Sequence, residues 1–196
     1  GKVGITSSSL SGHLVEKPKA GQFSMLELPR VMRDELGMRV IDLNTSSLAS
    51  MDADYLDKCR DAAELAGCVF TNLKMNQRNA DMNSADEATR CKALEIYKRS
   101  IDAASRLGCH WARPLPLPEL PDMKIHVASY QELADYAAER NVAMLVENYG
   151  WMQGDPDSVI KLVKAIGRNV APCPDTGNWN DNTIRYEGLA KTFQPP

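Results

Sequence analysis

Two carboxylates stand where a carboxylate is costly. Glu147 ends the apolar run Val142-Ala143-Met144-Leu145-Val146, and Asp175 ends the next such run, within Pro172-Cys173-Pro174-Asp175-Thr176-Gly177-Asn178. A carboxylate leaving water needs an opposite charge, hydrogen bonds or a cation. If the two runs are neighbouring strands, ~4.8 Å apart, the acids repel unless a cation bridges them or one takes up a proton. Hard oxygen donors select Mg2+, Mn2+ or a similar ion. Spacing leaves one alternative open, a structural ion pair between Glu147 and Arg113 or Lys74.

Other side chains could bind a ligand beside them. Arg113 ends the fourth apolar run, and its guanidinium can grip hydroxyls, carboxylate or phosphate. Asn148 and Asn178 can hydrogen-bond metal ligands or ligand hydroxyls, and His13, following the first run, is a candidate substrate contact. Trp151 and Trp179 each follow a site segment and either stack on a ring or pack as lids. His110 opens the fourth run and reads as structural. His126 falls in residues 114–129, where Pro114, Pro116, Pro118 and Pro121 suggest a rigid extended excursion.

One recurring phrase would position these groups: a helical stretch, then Gly or Asn, then a short apolar run. It reads DELGMRVIDLN (34–44), AELAGCVFTNL (63–73), SRLGCHWARPL (105–115), AERNVAMLVEN (138–148) and KAIGRNVAPCPD (164–175). Gly37, Gly67, Gly108, Asn141 and Gly167 sit where a helix ends in a left-handed residue. The runs are too short for helices and too uniformly apolar for half-solvated strands, so buried parallel strands fit. The segments between have helical period, with Tyr55, Cys59, Ala62, Ala63 and Ala66 on one face. The sets Ala93, Tyr97, Ile101, Ala104, then Tyr130, Leu133, Ala134, Ala137, then Val159, Leu162, Val163, Ile166 repeat the pattern. Ser84 with Glu87 reads as a capping box before a helix over 85–107. Asp155-Pro156 puts Pro at the first position of the next helix, and a sixth helix begins near Tyr186.

With the opening run, strands are expected near 2–7, 39–44, 68–74, 110–114, 142–147 and 169–174. Strict alternation admits an open doubly wound sheet or a closed barrel. A doubly wound sheet would carry a Gly-rich phosphate loop after its first strand, but residues 7–13 hold one Gly. The expectation is therefore an α/β chain forming a single domain over 1–196. Its fold is a TIM (β/α)8-type barrel with about six βα units present and the last two lacking, the chain being either a fragment of a longer protein or an incomplete barrel. In such folds the ligand sits at the carboxyl ends of the strands, where the residues above are found.

Composition narrows the function. The chain is 43% hydrophobic and 25% charged with formal net charge −3, and its charges are interspersed, so no nucleic-acid footprint is present. No apolar run approaches the ~20 residues of a membrane span, and the first residues lack a signal-peptide core. Five cysteines without a CxxC pair read as buried reduced thiols of a cytoplasmic protein, with a removed leader left open.

The stretches MLVENYG (144–150) and PDTGNWN (174–180), followed by Tyr186-Glu187-Gly188-Leu189, resemble the sugar phosphate isomerase/epimerase family. It belongs to the xylose-isomerase-like barrels, which include endonuclease-type DNA repair enzymes. The resemblance implies that Glu147 and Asp175 are metal ligands. It also implies that a His and a Glu ligand lie on strands beyond Pro196, and that Glu147 is a catalytic base partnered by that Glu. Many relatives carry His where Asn178 stands, so a contact there differs. The expected activity is metal-dependent isomerisation or epimerisation of a sugar or related polyhydroxy compound, by carboxylate-mediated proton transfer through an enediolate stabilised by Mn2+ or Mg2+, with Co2+ or Zn2+ as alternatives. A carbohydrate is the expected partner, with no nucleic acid, no membrane and self-association left open. The rivals are a non-catalytic sugar-binding barrel and a metal-dependent abasic-site endonuclease. Three scattered His and the negative charge argue against the endonuclease.

Overall fold

The structure, a computed structural model, describes residues 3–193. Each helix of the recurring phrase is stopped by one left-handed residue. Gly37, Gly67, Gly108, Asn141 and Gly167 have φ of 64°, 66°, 85°, 55° and 73°. Reversal there lets the next amides reach back: Cys68 N donates to Ala63 O at 2.8 Å and Cys109 N to Ala104 O at 2.9 Å, closing the helix end and starting a strand. Asn169 (φ 47°) is a second such residue before the sixth strand. Its side-chain amide is tied to Ala134 O at 2.7 Å.

The elements alternate: β1 (Ile5–Thr6), α1 (Leu28–Leu36), β2 (Val40–Asn44), α2 (Ala53–Leu65), β3 (Val69–Met75), α3 (Glu87–Leu107), β4 (Trp111–Pro114), α4 (Met123–Ala138), β5 (Ala143–Val146), α5 (Ser158–Ile166), β6 (Val170–Pro172) and α6 (Asn182–Thr192). Strand order is chain order, and the pairs β1–β2, β2–β3 and β5–β6 are parallel. A doubly wound sheet reverses its order at a switch point; an unbroken order is that of the barrel. The expected start of β1 at Lys2 lies outside the described residues.

The chain divides into two compact units. The first comprises the described residues up to Gln77, with Arg99–Ala112 and Arg140–Val142. In it Ile41 and Leu43 are fully buried, as is Cys59 of α2. Asp42, between those two strand residues, accepts a hydrogen bond from the Thr71 hydroxyl at 2.5 Å. The second comprises Arg78–Lys98, Arg113–Glu139 and the described residues from Ala143 onward. There α4 packs on β5, and α5 on α4 and β6. They bury the expected faces, with Leu133, Ala134, Ala137 and Val159 at 0% exposure.

Several expected details are corrected. Asp86, not Ser84, caps α3: its carboxylate accepts from Thr89 N at 2.9 Å, while the Ser84 hydroxyl accepts from Asp86 N. Pro156 lies in the turn before α5, because Asp155 Oδ1 takes the Asp157 amide and delays the helix to Ser158. Helix α6 starts earlier than expected, since Asp181 Oδ1 accepts from Ile184 N. The proline-rich excursion ends at Asp122, whose carboxylate accepts from Lys124 N and Ile125 N, so His126 sits on α4 rather than in a loop. Cys59, Cys68 and Cys109 are buried thiols as expected, but Cys91 is exposed and Cys173 intermediate.

Asp122→Ala should cost about 1 kcal/mol by removing that cap, read from urea unfolding, with Asp122→Asn keeping most of it. An unchanged midpoint in Asp122→Ala would show that α4 is started by something else.

Candidate active site

The site is built in the second unit from the ends of β4, β5 and β6. Arg113, the third residue of β4, is 4% exposed. Its Nε lies 2.9 Å from Oε2 of Glu147, whose side chain is 17% exposed. Of the partners that spacing leaves open for Glu147, Arg113 is the one present; Lys74 belongs to the first unit. The other carboxylate oxygen of Glu147 is 3.5 Å from Asn178 Nδ2, at the limit of a hydrogen bond.

Asn148 is completely buried, and every hydrogen bond of its amide goes to main chain. Its Oδ1 accepts from Asp175 N at 2.6 Å, and its Nδ2 donates to Asp175 O at 3.1 Å and Asn178 O at 2.8 Å. One side chain thus clamps the loop after β6 to the loop after β5. The clamp leaves the Asp175 side chain exposed, with Oδ1 accepting from Gly177 N at 2.7 Å.

The second layer is aromatic and proline-rich. Tyr130 of α4 donates to Leu145 O at 3.0 Å, and Tyr97 accepts from Leu115 N at 3.3 Å. Burial raises both phenol pKa values, so each hydroxyl stays protonated. The proline-rich strap crosses the loop after β5 at Gly150 (φ +56°), where a Cβ would lie 2.3 Å from Leu117 O and 2.5 Å from Pro118 Cα. Only glycine allows that approach. Beneath the strap a cavity of ≈ 20 Å³ is lined by Glu147, His126, Tyr130 and Trp151, among others. Trp179 is 5% exposed and packs against α6, where a Cβ on Gly188 would meet its ring at 2.6 Å. His126 is 6% exposed, and burial pushes its imidazole down to about 4.

Arg113, Glu147, Asn148 and Asn178 are therefore brought together, with Asp175 joined to them through its main chain. His13 falls in the first unit, exposed, with Nδ1 3.3 Å from Gly21 O. His110 is likewise exposed, just before β4. Sequence reasoning missed His126 as part of the site, because the prolines before it masked the helix start. The helical period did mark Tyr130, though only as a core residue. Gly150 carried a readable signal, an isolated glycine directly after a site segment.

Among the described residues no group of three or more His, Cys, Asp or Glu side chains could by itself hold a metal ion. Glu147 and Asp175 carry hard oxygens of the kind that Mg2+ or Mn2+ takes, so they fit in donor type.

The sequence model of the xylose isomerase-like TIM barrels matches residues 34–193, most of the chain. The chain belongs to that family. Its fold is that of a D-psicose 3-epimerase solved in the presence of D-fructose, with TM-score 0.72 and 17% identity over 91% of this chain and 64% of that one. A D-psicose 3-epimerase from Clostridium cellulolyticum H10, solved with D-tagatose, aligns with TM-score 0.78 and 15% identity, covering 98% and 71% of the two chains. A xylose isomerase-like barrel from Mycobacterium smegmatis in complex with magnesium gives 0.71 and 17%, covering 97% and 72%. The chain thus spans about two thirds of the length of these relatives. No curated protein matches it. Among the described residues no helix is long and apolar enough to cross a membrane.

Asn148→Ala should destabilise by roughly 2–3 kcal/mol, because it removes three hydrogen bonds and strands buried main-chain groups. Urea unfolding measures this, and a loss under about 0.5 kcal/mol would show that the clamp contributes little. His126 gives a pH signature. It is neutral when folded and protonated when unfolded between about 4 and 6.5, so the unfolded state binds the extra proton and stability falls as pH drops through that window. Moving from pH 6.8 to 4.5 should cost the parent chain roughly 2 kcal/mol more than His126→Gln; equal losses would show an ordinary imidazole.

Proposed function

We propose that this site belongs to a metal-dependent isomerase or epimerase of a sugar or related polyhydroxy compound, with Glu147 as a catalytic base. The observation that carries the reading is a half-buried carboxylate at the end of β5, held by a buried guanidinium beneath a covering strap. The kinship of the fold with sugar epimerases supports it.

Isomerisation or epimerisation begins with loss of a proton from a carbon beside a carbonyl. Glu147 takes that proton, and its geometry is fixed before substrate arrives: Arg113 holds one oxygen, and the second, 3.5 Å from Asn178 Nδ2, is the one that acts on the reactant. Positioned general bases contribute about 10²–10⁴-fold. Arg113, with its planar fork of donors, orients substrate oxygens, and Asn178 donates to a hydroxyl or to Glu147. Asn148 positions rather than contacts, since its amide is consumed by the clamp. Glu147 and Asp175 are the residues of this chain that would hold a divalent ion, which supplies positive charge beside the oxygen that becomes negative. The strap limits water near Glu147, which protects the deprotonated substrate from side reactions.

Glu147→Gln should lower exchange of the substrate C–H with deuterated solvent by at least about 100-fold, with urea unfolding used to confirm a folded variant. Undiminished exchange would remove Glu147 from the chemistry. Mn2+ or Mg2+ should raise the melting midpoint of the parent protein, because a ligand that binds only the folded state stabilises it. Sugar-induced stabilisation without any metal effect or C–H exchange would favour the non-catalytic sugar-binding barrel.

A further inference from the structure

We propose that His126 is a positioning residue for Glu147, acting through a single water molecule in the cavity both residues line, with Asn83 fixing the imidazole in one tautomer. His126 Nδ1 lies 2.6 Å from Asn83 Oδ1. An amide oxygen only accepts, so Nδ1 carries the proton and Nε2 keeps a lone pair. The ring cannot swing away, because it packs edge-on against Tyr130 at 5.2 Å and 83°. The loop bearing Asn83 is itself anchored: the Ser129 hydroxyl donates to Met82 O at 2.7 Å, one turn along the same helix.

The cavity shared by His126 and Glu147 measures ≈ 20 Å³. That is room for about one water and too little for a sugar ring. Its lining includes two side chains that a water can join. The imidazole Nε2 and the Glu147 carboxylate are both acceptors, a water brings two donors, and the Tyr130 hydroxyl is already committed to Leu145 O. A water donating to both ties Glu147 to α4. Through Asn83 it also ties Glu147 to the loop between β3 and α3. The carboxylate is then held from two directions, as partners behind an active group commonly hold it.

The bridge is a claim about structure alone; its effect on turnover rests on the isomerase reading. Imidazole 15N resonances separate the two. His126 should show a protonated Nδ1 and an unprotonated Nε2 near neutral pH. Its Nε2 resonance should move in Glu147→Gln, while those of His13 and His110 stay put. An Nε2-protonated ring, or an Nε2 resonance indifferent to residue 147, would overturn the proposal whatever the enzyme does. In turnover, His126→Gln keeps both a donor for Asn83 and an acceptor for the water, and should stay within about 3-fold of the parent kcat. His126→Phe should lose about 10- to 100-fold in kcat at unchanged KM. Equal losses in both variants would assign His126 to packing alone. Should His126→Phe not fold, Asn83→Ala replaces it: the expected result is a mixture of tautomers and a lowered kcat, and a single unchanged tautomer would count against Asn83.

Discussion

The arrangement rests on what Glu147 requires in order to sit at the edge of an apolar strand. A carboxylate there is tolerated only with a partner, and the partner must be buried with it. Arg113 meets that requirement, at 2.9 Å with only 5% of its side chain exposed. Such a pair is not a large source of stability, since the cost of removing both charges from water offsets their attraction. Its value is directional. Two planar groups, each at a strand end, fix one another, and the carboxylate keeps a single orientation toward the space above the strands.

Asn148 extends that order to the next strand. Adjacent parallel strands share hydrogen bonds along their length, but their loops diverge where the pairing stops. One fully buried amide replaces the missing pairing with three main-chain contacts across the gap. The residue next to Glu147 is thereby the residue that places Asp175 and Asn178. Deleting its side chain would loosen several groups at once, although none of its atoms need touch a substrate.

Much of this was legible in the sequence, for identifiable reasons. The five helix-ending residues were readable because a left-handed backbone admits few residue types, and their φ values agree. Parallel strands followed from apolar runs too short for helices, and Arg113 and Glu147 stood out as charges interrupting such runs. What stayed hidden depends on local competition or on distance. Asp86 took the cap from Ser84 because its carboxylate reaches the Thr89 amide directly, a contest between neighbours that residue types alone do not decide. His126 lies 43 residues from Asn83 in sequence, and no periodicity links them. Asn148 was read as a ligand-binding amide, because residue type alone does not show that an amide near a carboxylate is turned to main chain.

The contact at Gly150 has a consequence for how such a site can be diversified. Backbone there meets backbone, with no flexible side chain between to absorb a change. A longer residue at 150 would have to be accompanied by a rerouted strap, and a strap of altered length would leave the loop below it uncovered. The two segments, more than 30 positions apart, therefore constitute one unit of redesign, and reshaping the mouth for a bulkier reactant means exchanging both together.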